Sequence, residues 1–288
     1  MQTITSASEM TAISKQARRA GKSIGFVPTM GALHPGHLSL ARAARSQSDV
    51  VIASIFVNPA QFGPNEDFAQ YPRSLEADSV LLATEKADYL FNPSVEEIYP
   101  NGNTAWVCVE EISDKLDGRS RPGHFRGVTT VVCKLFNIVQ PDRAFFGQKD
   151  AAQAAIIHKM VRDLNFDVEI VVCPIVREPD GLAMSSRNAY LHAGQRQQAT
   201  VLYRSLLRVQ ALASQGESAS AKLIAAGKQI IAEEPSVRLD YFEIVNPDTL
   251  DPAPDTSSVV LVAVAACVGT TRLIDNILIP GNHSHLGR

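Results

Sequence analysis

The sequence predicts an α/β protein, with a parallel-sheet N-terminal half followed by a smaller α+β half. Three observations lead there. Val50–Val57 is a run of eight that is apolar except for Ser54, the pattern of a strand covered by helices on both faces. Strand-like and helix-like segments alternate from the N-terminus to Cys173, as βα units require. Beyond Pro174 the order changes to two helical segments and then three strand-like runs, which marks a separate unit. The boundary is expected between residues 174 and 190, giving domains 1–176 and 177–288.

Each element has its own signal. Ser6 and Glu9 stand at capping-box spacing, Met10, Ile13 and Ala17 recur at helical spacing, and Gly21 ends the segment, so a helix is predicted over residues 6–20. Ile24–Val27 reads as a strand and Leu38–Ala44 as a helix, joined by a turn with Gly31 and Gly36. Asn58-Pro-Ala-Gln61 closes the Val50 strand. Ser74 is expected to cap a helix reaching about Ala87, and Tyr89–Phe91 and Ala105–Val109 read as strands. Gly127–Val139 is helical, Ala144–Gly147 is a strand, Asp150 starts a helix to about Leu164, and Val168–Cys173 closes the half. Then come helices over about Gly194–Ala213 and Ala219–Glu233 and strands at Val237–Val245, Val259–Val268 and Arg272–Ile279. Gly281–Arg288 reads as a tail in which His283 and His285 are solvated rather than metal ligands.

Composition narrows the function. Of 288 residues, 45% are hydrophobic and 20% charged, an ordinary globular balance. A net charge of −3 leaves no basic excess for a nucleic-acid footprint. The longest apolar run, Val259–Val268, is too short to span a bilayer, and residues 1–22 hold no apolar leader segment. Cys108, Cys133, Cys173 and Cys267 each sit in an apolar run with no Cys-x-x-Cys pair, so they read as core residues of a reduced, cytoplasmic protein.

In an open parallel sheet ligands gather at the carboxyl ends of the strands, and three predicted strand ends carry reactive residues. The first delivers His34 and His37, three residues apart at a helix start whose free N–H groups favour an anion. Gly31 and Gly36 have P-loop spacing, but His37 and Leu38 stand where Lys and Ser/Thr are needed, so the Walker pattern fails. The second delivers Asn58 and Gln61, neutral groups suited to a hydroxyl or carboxylate; Asn58 before Pro59 is equally a plain turn former. The third delivers Gln148-Lys149-Asp150, where Asp150 and Gln153 also have capping-box spacing. Between Gly118 and Gly127 a loop crowds Arg119, Arg121, His124 and Arg126, enough charge to clamp a carboxylate or phosphate, or simply a solvated basic loop. Met184-Ser185-Ser186-Arg187 offers two hydroxyls and a guanidinium.

Taken together, these pieces resemble the pantoate–β-alanine ligase (pantothenate synthetase) family of the adenylate-forming nucleotidyltransferase superfamily. The match runs through Phe26-Val-Pro-Thr-Met-Gly-Ala-Leu-His-Pro-Gly-His37, Ser54–Phe62, Tyr71-Pro-Arg73, Arg121–Gly127, Gly147–Asp150, Met184–Asn188 and Arg272-Leu-Ile-Asp-Asn276, in the family's order. Gln148 departs from the family's usual Glu, and Ala151 from its usual larger residue. The resemblance implies a Rossmann-like N-terminal domain, a smaller C-terminal domain acting as a lid, and a homodimer. It implies that ATP, with Mg²⁺ on its triphosphate, activates pantoate as pantoyl adenylate, which β-alanine then converts to pantothenate and AMP. By the same resemblance, ATP lies against Met30, Gly31, Ala32, Leu33, His34, Pro35, Gly36, His37, Gly147, Gln148, Lys149, Asp150, Val176, Met184, Ser185, Ser186 and Arg187. His34, His37, Lys149, Ser185, Ser186 and Arg187 would act on the phosphates, and Gln61, Gln153, Asn58, Tyr71 and Arg121 on pantoate and the acyl intermediate. A nucleotidyltransferase that leaves AMP on its product, or a nucleotide sensor without turnover, are the rival readings.

Overall fold

The computed structural model describes residues 1–64 and 66–281, so the tail histidines His283 and His285 lie outside the described residues. Up to Cys173 the elements are β1 (Gln2–Ile4), α1 (Ala7–Arg19), β2 (Ile24–Thr29), α2 (Pro35–Gln47), β3 (Val50–Ile55), α3 (Leu75–Thr84), β4 (Tyr89–Phe91), α4 (Val95–Ile98), α5 (Asp117–Ser120), α6 (His124–Val139), β5 (Arg143–Gly147), α7 (Ala151–Asp163) and β6 (Glu169–Cys173). After it come α8 (Ala193–Ala199), α9 (Val201–Ser214), α10 (Ser220–Ile231), β7 (Val237–Val245), β8 (Val260–Val268) and β9 (Thr271–Ile279). The described residues form two compact units: those within 1–114, 121–148 and 156–174 make the first, and those within 115–120, 149–155 and 175–281 the second.

In the first unit, the described strands form one parallel sheet in the order β1-β4-β3-β2-β5-β6. All six residues of β3 are buried, as its apolar run predicts. Leu40, Ala41 and Ala44 of α2 pack on Val51, Ala53 and Phe145, while α6 buries Phe125, Val128, Leu135 and Phe136 along one face. Phe26 meets Phe136 edge to face at 6.5 Å between centroids. Each such large side chain stabilises the core by roughly 1.5–3 kcal/mol. Chain order reverses at β2, whose successor β3 lies on one side and β5 on the other. Such a switch point opens a crevice at the strands' carboxyl ends. The His34–His37 turn leaves β2 there, and Gly147-Gln148 ends β5.

The second unit has α9 and α10 on an antiparallel sheet in the order β7-β8-β9. Leu202, Leu206 and Val209 of α9 and Leu223 of α10 join Val262, Val264, Ala266 and Phe242 in its core. A register shift between Leu239 and Tyr241 leaves Asp240 as the extra residue of a bulge, which re-aims its carboxylate.

Several expectations change. β1 adds an edge strand too short for a periodic signal. β2 runs through Pro28 to Thr29, because its pairing with β5 ends at Phe26 and leaves the proline's missing N–H unneeded on that side. Ala105–Val109 is no strand: the Val107 N–H donates to Thr130 Oγ1 (3.0 Å), and its carbonyl accepts from Thr129 Oγ1 (2.7 Å). Cys108 on that segment is exposed, Cys133 and Cys267 are half-buried, and only Cys173 is a core residue. Ser74 precedes α3 without a side-chain cap bond, and α3 stops at Thr84. The predicted helix over 194–213 breaks at Thr200 into α8 and α9. The Gly118–Gly127 loop is partly helical, since α6 already begins at His124.

Candidate active site

The turn after β2 spends its backbone donors on its own side chains and on Asp78 of α3. Gly31 N–H donates to Thr29 Oγ1 (3.2 Å), Ala32 N–H to Asp78 Oδ2 (2.8 Å) and Leu33 N–H to Asp78 Oδ1 (2.8 Å). His34 N–H donates to His37 Nδ1 (3.4 Å), and Gly36 N–H to His34 Nδ1 (3.2 Å). The expectation of free N–H groups is therefore corrected: Ala32 and Leu33 use theirs on Asp78 of α3, and Gly31, His34, Gly36 and His37 use theirs within the turn. Both imidazoles accept at Nδ1, so the neutral rings carry their proton on Nε2. The two rings lie 4.0 Å apart between centroids.

The conformation is sharp. Gly31 (φ 83°) and Ala32 (φ 50°) are left-handed; a Cβ on Gly31 would stand 3.0 Å from Asp78 Oδ2, and the non-glycine Ala32 costs about 1 kcal/mol or more. Asp78, only 2% exposed, offsets this with two charge-assisted bonds, each worth about 1.5–3 kcal/mol.

Beyond β3, Asn58 is buried and saturated. Its Nδ2 donates to Gln61 Oε1 (3.0 Å) and the Gly127 carbonyl (3.1 Å), and its Oδ1 accepts from Tyr99 Oη (2.8 Å) and Ala60 N–H (3.3 Å). Gln61, with its oxygen fixed by Asn58, turns Nε2 toward Met30 Sδ at 3.0 Å. Burial pushes the Tyr99 phenol up to about 12, against the Asn58 hydrogen bond, so it stays a donor at neutral pH. Gly127 approaches the Ala60 carbonyl and Gln61 N so closely that a Cβ has no room. Tyr71 is buried with its ring edge-on to Phe62 at 5.8 Å.

Arg121 is held by Glu66 through Nε (2.7 Å) and Nη2 (2.6 Å), and its Nη1 lies 3.0 Å from His124 Nε2. His124 Nδ1 donates to the Gln61 carbonyl (2.8 Å), which makes Nε2 the acceptor for Arg121. Burial raises the Glu66 carboxyl, but the Arg121 hydrogen bond and charge outweigh it and set the group below its ordinary value.

In the second unit, Lys149 Nζ lies 3.5 Å from Asp150 Oδ1, and the Lys149 carbonyl accepts from Asn276 Nδ2 (3.0 Å). Next to Asn276, buried Asp275 pairs with both Arg177 amines at 2.6 and 2.9 Å. Burial raises the Asp275 carboxyl while Arg177 pulls the other way. Arg177 itself lies over the Tyr203 ring at 3.8 Å. A small hairpin, in which Arg177 bridges Ala183, faces Val176 with Met184: Met184 N–H donates to the Val176 carbonyl at 3.0 Å. Ser185 caps the 3-10 turn Ser186–Tyr190 by accepting from Arg187 N–H at 3.3 Å. Gln153 is half-buried on α7.

The family model for pantoate–β-alanine ligases matches residues 2–278. The chain belongs to that family. It is 60% identical to the pantothenate synthetase of Koribacter versatilis over 279 residues, covering 97% of this chain and 96% of that one. The pantothenate synthetase of Thermotoga petrophila is 54% identical over 279 residues, 97% of this chain and 100% of its own. Among solved structures, a pantothenate synthetase from Thermus thermophilus superposes with a TM-score of 0.91 at 47% identity, covering 96% of this chain and 99% of that one. A pantoate–β-alanine ligase from Francisella tularensis, complexed with β-γ ATP and β-alanine, gives 0.79 at 38% identity, covering 96% and 97%.

Family motifs point to His34, His37 and Lys149 and include Asn276, which holds the Lys149 carbonyl, but they do not reach Asp78. Asp78 could have been suspected: it lies four residues before buried Leu82, which puts a carboxylate on the apolar face of α3. Tyr99 and Glu66 carry no such signal, since their partners Asn58 and Arg121 are 41 and 55 residues away.

Proposed function

We propose that this chain condenses pantoate with β-alanine in two steps driven by ATP. In the first, a pantoate carboxylate oxygen bonds to the α-phosphorus, the bond to the α,β-bridging oxygen breaks, and pyrophosphate departs. In the second, the uncharged amine of β-alanine attacks the acyl carbon of pantoyl adenylate. The acyl–oxygen bond breaks, the nitrogen loses a proton, and AMP leaves with the electron pair.

In-line displacement at phosphorus needs positioning and charge stabilisation rather than a covalent nucleophile. His37 and His34 supply Nε2–H donors for the phosphates, and Lys149 adds a cation for the leaving pyrophosphate. Ser185, Ser186 and Arg187 hold the triphosphate, and the C-terminal domain 177–288 serves as the lid that keeps water from the acyl adenylate. Met30, Gly147, Asp150 and Val176 receive adenosine; Gln61 and Gln153 grip pantoate; Asn58, Tyr71 and Arg121 complete the acyl pocket. Mg²⁺ enters as part of the nucleotide substrate. Among the described residues no three His, Cys, Asp or Glu side chains form a ready metal cage, and an ion carried mainly by phosphate oxygens and water needs none.

The observation that supports this reading most is the His34–His37 turn with both Nδ1 atoms committed to backbone N–H groups. The test is radiolabelled pyrophosphate exchange into ATP. Pantoate alone should support exchange, with net AMP release only after β-alanine is added; exchange that requires β-alanine would sink the two-step scheme. Free AMP among the products also separates this reading from transfer of AMP to a retained product. We further propose a cytoplasmic homodimer, consistent with the lack of a helix long and apolar enough to cross a membrane among the described residues. Sedimentation at a monomer's mass would overturn the dimer.

A further inference from the structure

Nothing in the family motifs gives Asp78 a role, yet its carboxylate sits where an anion could otherwise bind. Each oxygen receives one backbone N–H, from Ala32 and Leu33, at 2.8 Å. Those donors belong to the two residues between left-handed Gly31 and the N-terminal cap residue His34. The adjoining Ala32 backbone is left-handed too, a conformation an alanine holds only under constraint. The turn cannot relax without moving the His34 backbone, and His34 N–H is the donor that fixes His37 Nδ1.

We propose that Asp78 is a positioning residue for the phosphate-handling histidines: it fills the N–H pair of the turn with an internal carboxylate and thereby locks His34 and His37 as Nε2–H tautomers. The role rests on the two-step reading of the site. Asp78 touches neither imidazole by any contact described above; it acts through the backbone of residues 32–34. An asparagine retains one acceptor but faces the second N–H with an amide NH₂, so one of the two contacts becomes repulsive.

The experiment compares Asp78→Asn with wild type in three measurements. Pyrophosphate exchange with pantoate should fall about tenfold or more, a transition-state loss of about 1.4 kcal/mol. Conversion of supplied pantoyl adenylate by β-alanine, which involves no triphosphate, should stay within about twofold. Imidazole ¹⁵N shifts of ligand-free enzyme should move from the Nε2–H pattern toward a tautomer mixture. Exchange within about twofold of wild type, unchanged ¹⁵N shifts, or equal loss in both half-reactions would each overturn the proposal. If Asp78→Asn does not fold, the same measurements on Asp78→Asn with Ala32→Gly decide, because glycine takes φ 50° without strain. A wild-type enzyme with no pantoate-dependent exchange would count against the two-step scheme instead, and the ¹⁵N measurement still judges Asp78 by itself.

Discussion

A histidine that accepts a backbone N–H at Nδ1 has its chemistry chosen for it. At the turn after β2 this happens twice, so the donors offered to an anion are two Nε2–H groups rather than a nest of amides. His37→Ala should lower turnover by about 10²-fold or more, and Lys149→Ala by a similar factor, with circular dichroism unchanged, as expected for losing one charge-stabilising donor. A loss under threefold would demote the residue concerned. Tyr99 gives a pH prediction. Below pH 10 the phenol is protonated in folded and unfolded chains alike, and its bond to Asn58 is intact. Above pH 10 the unfolded chain releases a proton that the folded chain keeps up to about 12, so stability falls across that window and the loss is complete beyond it. Buried Tyr241 is shifted the same way, so Tyr99→Phe should flatten the fall in urea midpoint without removing it. Candidates such as His34 and Lys149 stand out in the sequence because they follow apolar runs at strand ends. Tyr99 and Glu66 do not, because each is defined by a partner more than 40 residues distant in sequence, and Asp78 is signalled only by its place on the apolar face of α3.

At the scale of elements, two glycines make opposite predictions. Gly127 in α6 lies against the backbone of Ala60 and Gln61, and no rotamer can relieve a Cβ that meets main chain. Gly127→Ala should destabilise the protein by about 1–3 kcal/mol and raise the KM for pantoate, because it displaces the turn that aims Gln61. At Gly147, where β5 ends, an added Cβ meets nothing within 4 Å. Gly147→Ala should leave the thermal midpoint unchanged and raise the KM for ATP. Both effects are measured by calorimetry with steady-state kinetics, and equal behaviour of the two variants would undo the assignment of β5's end to the nucleotide. The strand-like runs at Val50–Val57 and Arg272–Ile279 carried over directly into β3 and β9. The 105–109 segment did not, because strand propensity cannot report that Thr129 and Thr130 have already taken the backbone groups of Val107.

Across the whole molecule, the second unit is built from three separated stretches of chain. Residues 115–120, which include α5, are secured in it by ionic contacts: Lys115 to Asp251 (2.8 Å), Arg119 to Glu243 (2.5 Å) and buried Asp117 to Arg272 (2.7 Å). Burial opposes the Arg272 charge, but Asp117 and Asp240 outweigh it and hold the guanidinium protonated. Arg272→Ala should cost about 3–5 kcal/mol in chemical denaturation, because it strands the Asp117 carboxylate beside Tyr241. Composition and periodicity revealed two kinds of layer but not this interleaving, since residues 115–120 and 149–155 read as ordinary connectors. The arrangement has a consequence for biosynthesis. Asp117 leaves the ribosome more than 150 residues before Arg272, and Lys149 waits almost as long for Asn276. The parallel sheet can be complete once Cys173 is made, while the stretches destined for the second unit stay unpartnered until the last strand emerges. The nascent chain therefore carries Lys149 without its Asn276 partner while 127 further residues are added, and that contact forms only near the end of synthesis.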